Sequence, residues 1–480
     1  MDQARDAAQA VSVRAELRAD VERRLLKAIL RMERFLRREE CQAVGALEPT
    51  RRLGLSLLNE ARYMLRSAVH ETGALPSEPT LRSAYRLVSA LESLAAWSAP
   101  ATQESHALGS FPIAASRDAV AYSRFGSAEI ASQERVYGSM LGFDPRHARL
   151  LLTSSGMTAY ALIEAYLQRE VLQPQDRILL HPSVYFETRQ QVTTLPNIVT
   201  YTAPGGGREE MLASIAAYQP KVVFVDPLSN AADFRSIDML RLLREADQVC
   251  QAETWFVVDS TLLSGGFDPF AGDARRRVRV LYYESGCKYL QFGLDLGPAG
   301  LVVVETALAE RFERLRRGIG AIGSEAFALP RASRAAYLAY LRTQTRCALR
   351  VAHAMTDSEP SLIRAVFPAQ VTHPDHGETE RYAHLGGVLV FRFADPQLNR
   401  RQPLEEFIDL VMKRARGANL SLTAGVSFGF SVPRIGAAWT SFDADEAFLR
   451  LSAGNDPNLA TALGRLIVRC AHEFARPLVK

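Results

Sequence analysis

Trp255-Phe256-Val257-Val258-Asp259-Ser260-Thr261, followed downstream by Val280-Leu281-Tyr282-Tyr283-Glu284-Ser285-Gly286-Cys287-Lys288-Tyr289, is the stretch on which the fold turns. Each half is a short apolar run that ends in charged or hydroxylated residues. Runs of this length fit strands buried on both faces, and such strands belong to parallel sheets whose ligands bind beyond the carboxyl ends. That reading puts Asp259 and Lys288 on one rim of one sheet. A lysine amine is a poor nucleophile until its pKa falls or an aldehyde captures it as an imine. Pyridoxal 5'-phosphate does the second, and its ring nitrogen needs a carboxylate to make the ring an electron sink. The pair is therefore expected to serve that cofactor. Either residue alone says little, because a lysine among aromatics commonly snorkels at the surface and an aspartate after a strand commonly caps a turn.

Working outward, the same pattern recurs. Residues 149–153, 177–180, 222–225 and 301–304 are further apolar runs, with helical periodicities such as 239–246 between them. This alternation predicts an α/β layer with a mostly parallel sheet. A long helix is expected over 331–355. Beyond it a smaller unit has a strand over 387–393, a helix over 404–416, a strand over 420–422 and a last helix over 459–474. Upstream, residues 1–108 read as helical: Val21, Leu25, Ile29, Met32 and Leu36 form one apolar stripe, and further helices run over 53–68 and 81–97 around Pro76 and Pro79. The expected division is a helical N-terminal extension (1–108), a large cofactor-binding α/β domain (109–330) and a small C-terminal domain (331–480). The extension is read as an oligomerisation or packing element, with an active-site lid as the alternative.

The 480 residues have a net charge of +4, too dilute over so large a surface to argue for a nucleic-acid partner. Arg275-Arg276-Arg277 reads as a solvated loop. Five cysteines, Cys41, Cys250, Cys287, Cys347 and Cys470, have neither paired spacing nor a CxxC, which predicts a reducing compartment without structural disulfides or zinc. No apolar run reaches the ~20 residues of a membrane span and no leader pattern is visible, so the chain is expected to be cytoplasmic, away from membranes and without a metal. Gly205-Gly206-Gly207 lacks the strand-to-helix spacing of a phosphate loop and is read as a flexible surface turn, and His373, Asp375 and His376 as a polar loop.

Five further segments occur in order: Tyr122-Ser123-Arg124-Phe125-Gly126, Ser154-Ser155-Gly156-Met157, Tyr185-Phe186-Glu187-Thr188, Asp226-Pro227-Leu228-Ser229-Asn230 and Phe448-Leu449-Arg450-Leu451-Ser452-Ala453-Gly454. Together with the lysine and aspartate they make the chain from about residue 110 onward resemble the cystathionine gamma-synthase (Cys/Met metabolism) family of fold-type I pyridoxal phosphate enzymes. The resemblance implies that Lys288 holds the cofactor and moves protons, that Asp259 pairs with the ring nitrogen, and that Tyr185 stacks on the ring and can transfer protons. It implies that Ser155, Gly156, Met157 and Ser285 hold the phosphate, that Asn230 meets the phenolic oxygen and that Thr261 lines the ring. Tyr122 and Arg124 are implied to reach a neighbouring subunit's site, making the protein a homodimer or homotetramer with shared sites. Arg450 is implied to bind the substrate carboxylate, with Ser427 and Tyr122 beside it.

The chain departs from the family's pattern at several places. Cys287 stands where a hydroxyl residue is usual, Phe186-Glu187 where two glycines are, and Val432 where members acting on γ-carbons carry a glutamate. Gln291-Phe292-Gly293-Leu294 replaces the usual residues after the lysine. The expected activity is γ-replacement or γ-elimination on an L-amino acid with a side-chain leaving group, of homoserine ester, cystathionine or S-adenosylmethionine type. A β-lyase or an aminotransferase is the alternative, and a catalytically silent assembly protein is the alternative outside enzymes. The nucleophile is left open.

Overall fold

The computed structural model describes residues 2–37, 48–66, 76–95, 128–271, 275–321, 329–356, 362–439 and 447–475. Three helices come first: α1 (Asp2–Arg37), α2 (Glu48–Met64) and α3 (Glu78–Ala95). The stripe predicted on α1 is the buried one, since Val21, Leu25, Ile29 and Met32 are enclosed and Leu36 packs against them. α1 lies against α3 and against the long helix Arg334–Thr356 described below. Asp20, buried on α1, ties the contact together by accepting from Tyr85 Oη (2.9 Å) and from the Arg331 amide (3.0 Å) and by pairing with Arg24 (3.0 Å). The helices are thus a packing element of this chain.

After α4 (Ala128–Leu141) the alternation begins: β1 (Ala148–Thr153), α5 (Gly156–Glu170), β2 (Arg177–Leu180), α6 (Phe186–Thr193), β3 (Val199–Thr202), α7 (Arg208–Tyr218), β4 (Val222–Val225), α8 (Met239–Val249), β5 (Thr254–Asp259), β6 (Val278–Ser285), β7 (Gly300–Glu305) and α9 (Ala309–Ile319). The seven strands form one sheet in the order β1-β7-β6-β5-β4-β2-β3. Strands β2 to β6 are mutually parallel, and β7 runs antiparallel to both β1 and β6. Along the central strands successive side chains are buried on alternate faces of the sheet. Trp255 and Val257 join one apolar layer with α5 and α9, while Phe256 and Val258 join the opposite layer with α8. Both faces are covered, so the central runs read as continuously apolar.

α10 (Arg334–Thr356) leads to a second sheet built from β8 (Ile363–Val366), β9 (Val388–Phe393), β10 (Thr423–Ala424), β11 (Arg434–Ala438) and β12 (Phe448–Ser452), with α11 (Arg401–Gly417) and α12 (Pro457–Ala475) packed together. Its order is β10-β11-β12-β9-β8. Three expectations need correction. Residues 420–422 are not a strand; the pairing falls on Thr423–Ala424, where the backbone meets β11. Strand β3 was not anticipated, because Val-Thr-Tyr-Thr at a sheet edge is only half-buried and lacks an apolar run. Gly205–Gly207 is not a flexible surface turn: Gly206 and Gly207 are buried ahead of α7, and a Cβ on Gly207 would come within 2.9 Å of Arg235 Nη2.

One buried acid joins the large sheet to α10. Glu284 on β6 accepts hydrogen bonds from Ser264 Oγ (2.5 Å), the Gly265 amide (3.1 Å) and Tyr282 Oη, and Ser264 Oγ also meets Tyr337 Oη of α10 at 2.6 Å. Burial outweighs these donors and pushes the Glu284 carboxyl up to about 7. Among the described residues no helix is long and apolar enough to cross a membrane.

Two measurements check this packing. Leu25 is fully buried and its neighbour Leu26 is 45% exposed. Leu25→Ala should therefore cost about 2 to 5 kcal/mol in urea unfolding, and Leu26→Ala under about 1. The folded chain favours protonated Glu284, so that contribution is whole below the ordinary 4.5 and is lost as pH rises through about 7. Glu284→Gln, neutral throughout, should lack this loss and gain on the wild type by about 3 kcal/mol across that window. Parallel stability curves for the two proteins would contradict it.

Candidate active site

The parallel strands and the reversed β7 bring several chain segments to one rim. α5 begins there with Ser155 as its cap, whose Oγ accepts from the Thr158 amide at 3.0 Å. This leaves the amides of Gly156 and Met157 without a partner inside the helix. A Cβ on Gly156 would stand 2.8 Å from Ser285 Cβ, so only glycine lets the end of β6 approach the helix start. The Ser285 amide donates to Thr261 Oγ1 at 3.0 Å, and its hydroxyl lies 3.0 Å from Cys287 Sγ. Free helix amides with hydroxyls beside them form a cradle for a phosphate.

Two carboxylates sit at neighbouring strand ends. Asp226 follows β4 and accepts from the Tyr185 amide at 3.1 Å, which fixes Tyr185 at the start of α6. Asp259 ends β5 and accepts from the Thr261 amide at 3.0 Å. Burial pushes both carboxyls up, and the proximity of Asp259 pushes Asp226 further. Tyr283, opposite Asp259 in the β5–β6 register, works against the burial that raises the Asp259 carboxyl and meets Thr188 Oγ1 at 3.1 Å. A pair of desolvated acids with few donors suits a cation, and a protonated pyridine nitrogen is one. The cradle and the carboxylates together fit pyridoxal phosphate.

Lys288 projects at the same rim. Its Nζ donates to Ser427 Oγ at 2.6 Å and lies 5.3 Å from the centre of the Phe428 ring. Burial, then the charges of Arg450 and Arg434, lower the ammonium's pKa against the opposing pull of Cys287 and Asp259. Arg450, on β12, donates through Nη1 to Asn230 Oδ1 at 2.5 Å and through Nη2 to the Val426 carbonyl. Burial brings its guanidinium down to about 10. Tyr185 is pushed up to about 12 by burial and then by Glu187, which keeps its hydroxyl protonated.

The structure therefore gathers Ser155, Gly156, Met157, Thr261, Ser285 and Lys288 at the rim, with Tyr185, Asp259 and Asn230 beside them, and Ser427 and Arg450 reach Lys288 and Asn230 from the small-sheet side. Tyr122 and Arg124 lie outside the described residues. Sequence reading missed Asp226 as an anchor for Tyr185, Tyr283 as a partner of Asp259, and Phe428 and Arg434 beside the lysine. The apolar run of β6 held a signal for Tyr283, since its parity alternates with the core-facing Tyr282, but only the register against Asp259 makes it a partner. The polar loop around His373 stands as read: its Nδ1 accepts from the Asp375 amide at 3.1 Å, and Asp375 takes Arg235 through both oxygens.

No family model matches the sequence. Over 342 residues the chain is 31% identical to the bifunctional enzyme flvA of Aspergillus flavus, a match covering 70% of this chain and 40% of that protein. The chain thus spans less than half the length of this curated relative. Among solved structures it resembles a cystathionine gamma synthase from Xanthomonas oryzae pv. oryzae in complex with cystathionine, at TM-score 0.58 and 20% identity over 74% of this chain and 89% of the other. The same synthase with aminoacrylate and cysteine gives 0.57 and 21% over 76% and 91%. MetB from Corynebacterium glutamicum gives 0.56 and 21% over 74% and 88%. What these likenesses share with the two sheets and the rim described above is the architecture, and the chain has the fold of the cystathionine gamma-synthases.

Proposed function

We propose that this chain is a pyridoxal phosphate enzyme that replaces or eliminates a γ-substituent of an L-amino acid. The observation that carries the reading is the convergence of Lys288, just beyond β6, Asp259, at the end of β5, and Arg450, in the middle of β12, with Ser427 holding the lysine at 2.6 Å. A scaffold that had only kept the fold would have no use for a depressed lysine, a desolvated aspartate and a half-buried arginine in one place. Bound pyridoxal phosphate supplies an aldehyde that condenses with amines and a ring that accepts the electrons released at Cα.

The chain's own residues divide the remaining work. Gly156, Met157 and Ser285 hold the phosphate, and Asp259 keeps a negative charge at the ring nitrogen, with Thr261 and Tyr283 fixing its orientation. Arg450 takes the substrate carboxylate, trading its contacts with Asn230 and Val426 for a bidentate bond that sets the Cα–H bond in line for removal. Lys288, its pKa lowered by burial, takes that proton as a neutral amine, with Ser427 keeping Nζ in place. For γ-chemistry a second proton must leave Cβ before the γ-substituent departs, and Lys288 is the base placed to move it. Tyr185 stays protonated and lines the site as a proton donor. We assign the cofactor-binding role to residues 109–330 and the delivery of Arg450 and Ser427 to residues 331–480. A homodimer or homotetramer with Tyr122 and Arg124 completing a neighbour's site belongs to the same proposal, as does a location in the cytoplasm.

The tests are direct. Borohydride reduction of the holoenzyme followed by peptide mapping should put the trapped adduct on Lys288, and Lys288→Ala should abolish it; an adduct on another lysine overturns the assignment. Arg450→Ala should lower kcat/KM by roughly 2 to 5 kcal/mol with the cofactor still bound. In heavy water, substrate recovered from O-acyl homoserines, cystathionine or S-adenosylmethionine should carry deuterium at both Cα and Cβ. Exchange at Cα alone, together with turnover of a β-substituted amino acid, would assign a β-lyase instead.

A further inference from the structure

A second arginine stands at this rim. Arg434 opens β11 and pairs with Ser452, while Gly436 pairs with Arg450, so Arg434 and Arg450 lie on one face of the small sheet as diagonal neighbours. The Arg434 guanidinium is stacked on the Phe430 ring at 3.5 Å from its centre. Phe430 is in turn bridged to Gly293 in the segment that follows Lys288. The nearest carboxylate is that of Asp295, at 3.7 Å, beyond hydrogen-bond reach and half exposed to solvent. Among the described residues the guanidinium makes no hydrogen bond, and its Nε is buried without a partner. Its charge nevertheless reaches Lys288, whose pKa it helps to lower.

The surroundings hold this cation still. α3 of the N-terminal helices donates from Arg82 Nε to the Leu294 carbonyl at 2.7 Å and from Arg86 Nη2 to the Asp295 carbonyl at 3.0 Å. The segment facing Arg434 is thereby clamped from behind. A guanidinium that is stacked, short of hydrogen bonds and close to a half-buried lysine and another arginine has donors to spare and is costly to leave uncompensated. Arg450, by contrast, has both terminal nitrogens engaged and is the arginine assigned to the α-carboxylate. An amino acid with one carboxylate leaves Arg434 with only the loose, half-exposed Asp295.

We infer that Arg434 is a specificity residue that binds a second carboxylate of the reacting pair, carried either by the amino acid's side chain or by a separate acid that serves as the co-reactant. This rests on the proposed function above. Its consequence is that the chain selects a reacting pair that brings two carboxylates over one that brings a single carboxylate.

The holoenzyme, titrated by its cofactor absorbance, tests this with L-norvaline against L-glutamate and L-norleucine against L-2-aminoadipate. If the side chain carries the second carboxylate, the dicarboxylic member should bind about tenfold tighter, the scale of one charge-assisted hydrogen bond. Arg434→Gln should erase that ratio, Arg434→Lys should keep part of it, and Arg450→Gln should weaken both members together. If a separate acid carries it, the dicarboxylic preference is absent and propionate tightens L-norvaline binding in the wild type but not in Arg434→Gln. Wild-type protein indifferent to both the second carboxylate and propionate, or Arg434→Gln weakening both members equally, overturns the inference. A holoenzyme whose absorbance responds to no amino acid overturns the proposed function itself, and the inference with it.

Discussion

The site depends on the burial of an amine among other cations. Lys288 is half-buried beside Arg450 and Arg434, and partial withdrawal from water disfavours three positive charges there. The opposing pull comes from Cys287 and from Asp259, which is itself desolvated at the end of β5 beside Asp226. Neither group would be stable alone in such a position. The lysine's ammonium is weakened and the carboxyls are raised by the same physical cause, and each side makes the other tolerable.

Holding these charges at the right separation is a matter of backbone approach. Gly156 lets the start of α5 meet Ser285, and Gly429, at φ +82, brings the loop bearing Ser427 and Phe428 to the Lys288 carbonyl, where a Cβ would stand 2.9 Å from the oxygen. Tyr340 of α10 donates to the Gly429 carbonyl at 2.9 Å and fixes that loop from below. The small sheet is thus docked on the rim of the large one by backbone contacts as well as by the bond between Lys288 and Ser427.

The N-terminal helices acquire a meaning from where they pack. Their long stripe is spent on α10 and on each other, and their polar face supplies Arg82 and Arg86 to the carbonyls of Leu294 and Asp295. That segment directly follows the lysine and forms the wall facing Arg434. A helical extension that braces one side of a site can shape selectivity without touching substrate, because it fixes the backbone on which the contacting residues stand.

Much of the fold was legible in the sequence because apolar runs and helical periodicity report burial directly. The central strands, the long helix α10, the stripe on α1, and Lys288 and Asp259 at strand ends all follow from local pattern. Edge strand β3 and the short β10 were not legible, since half-buried polar residues carry no such pattern and a two-residue strand is set by its partner. The same limit applies to chemistry. Sequence alone determined which residue types were available and on which elements. Only the tertiary structure decided that Asp226 anchors Tyr185, that Tyr283 serves Asp259, and that Arg434 shares a face with Arg450. Those relations depend on strand register and on the docking of one sheet against another, which join residues too distant in the chain for any local pattern to record.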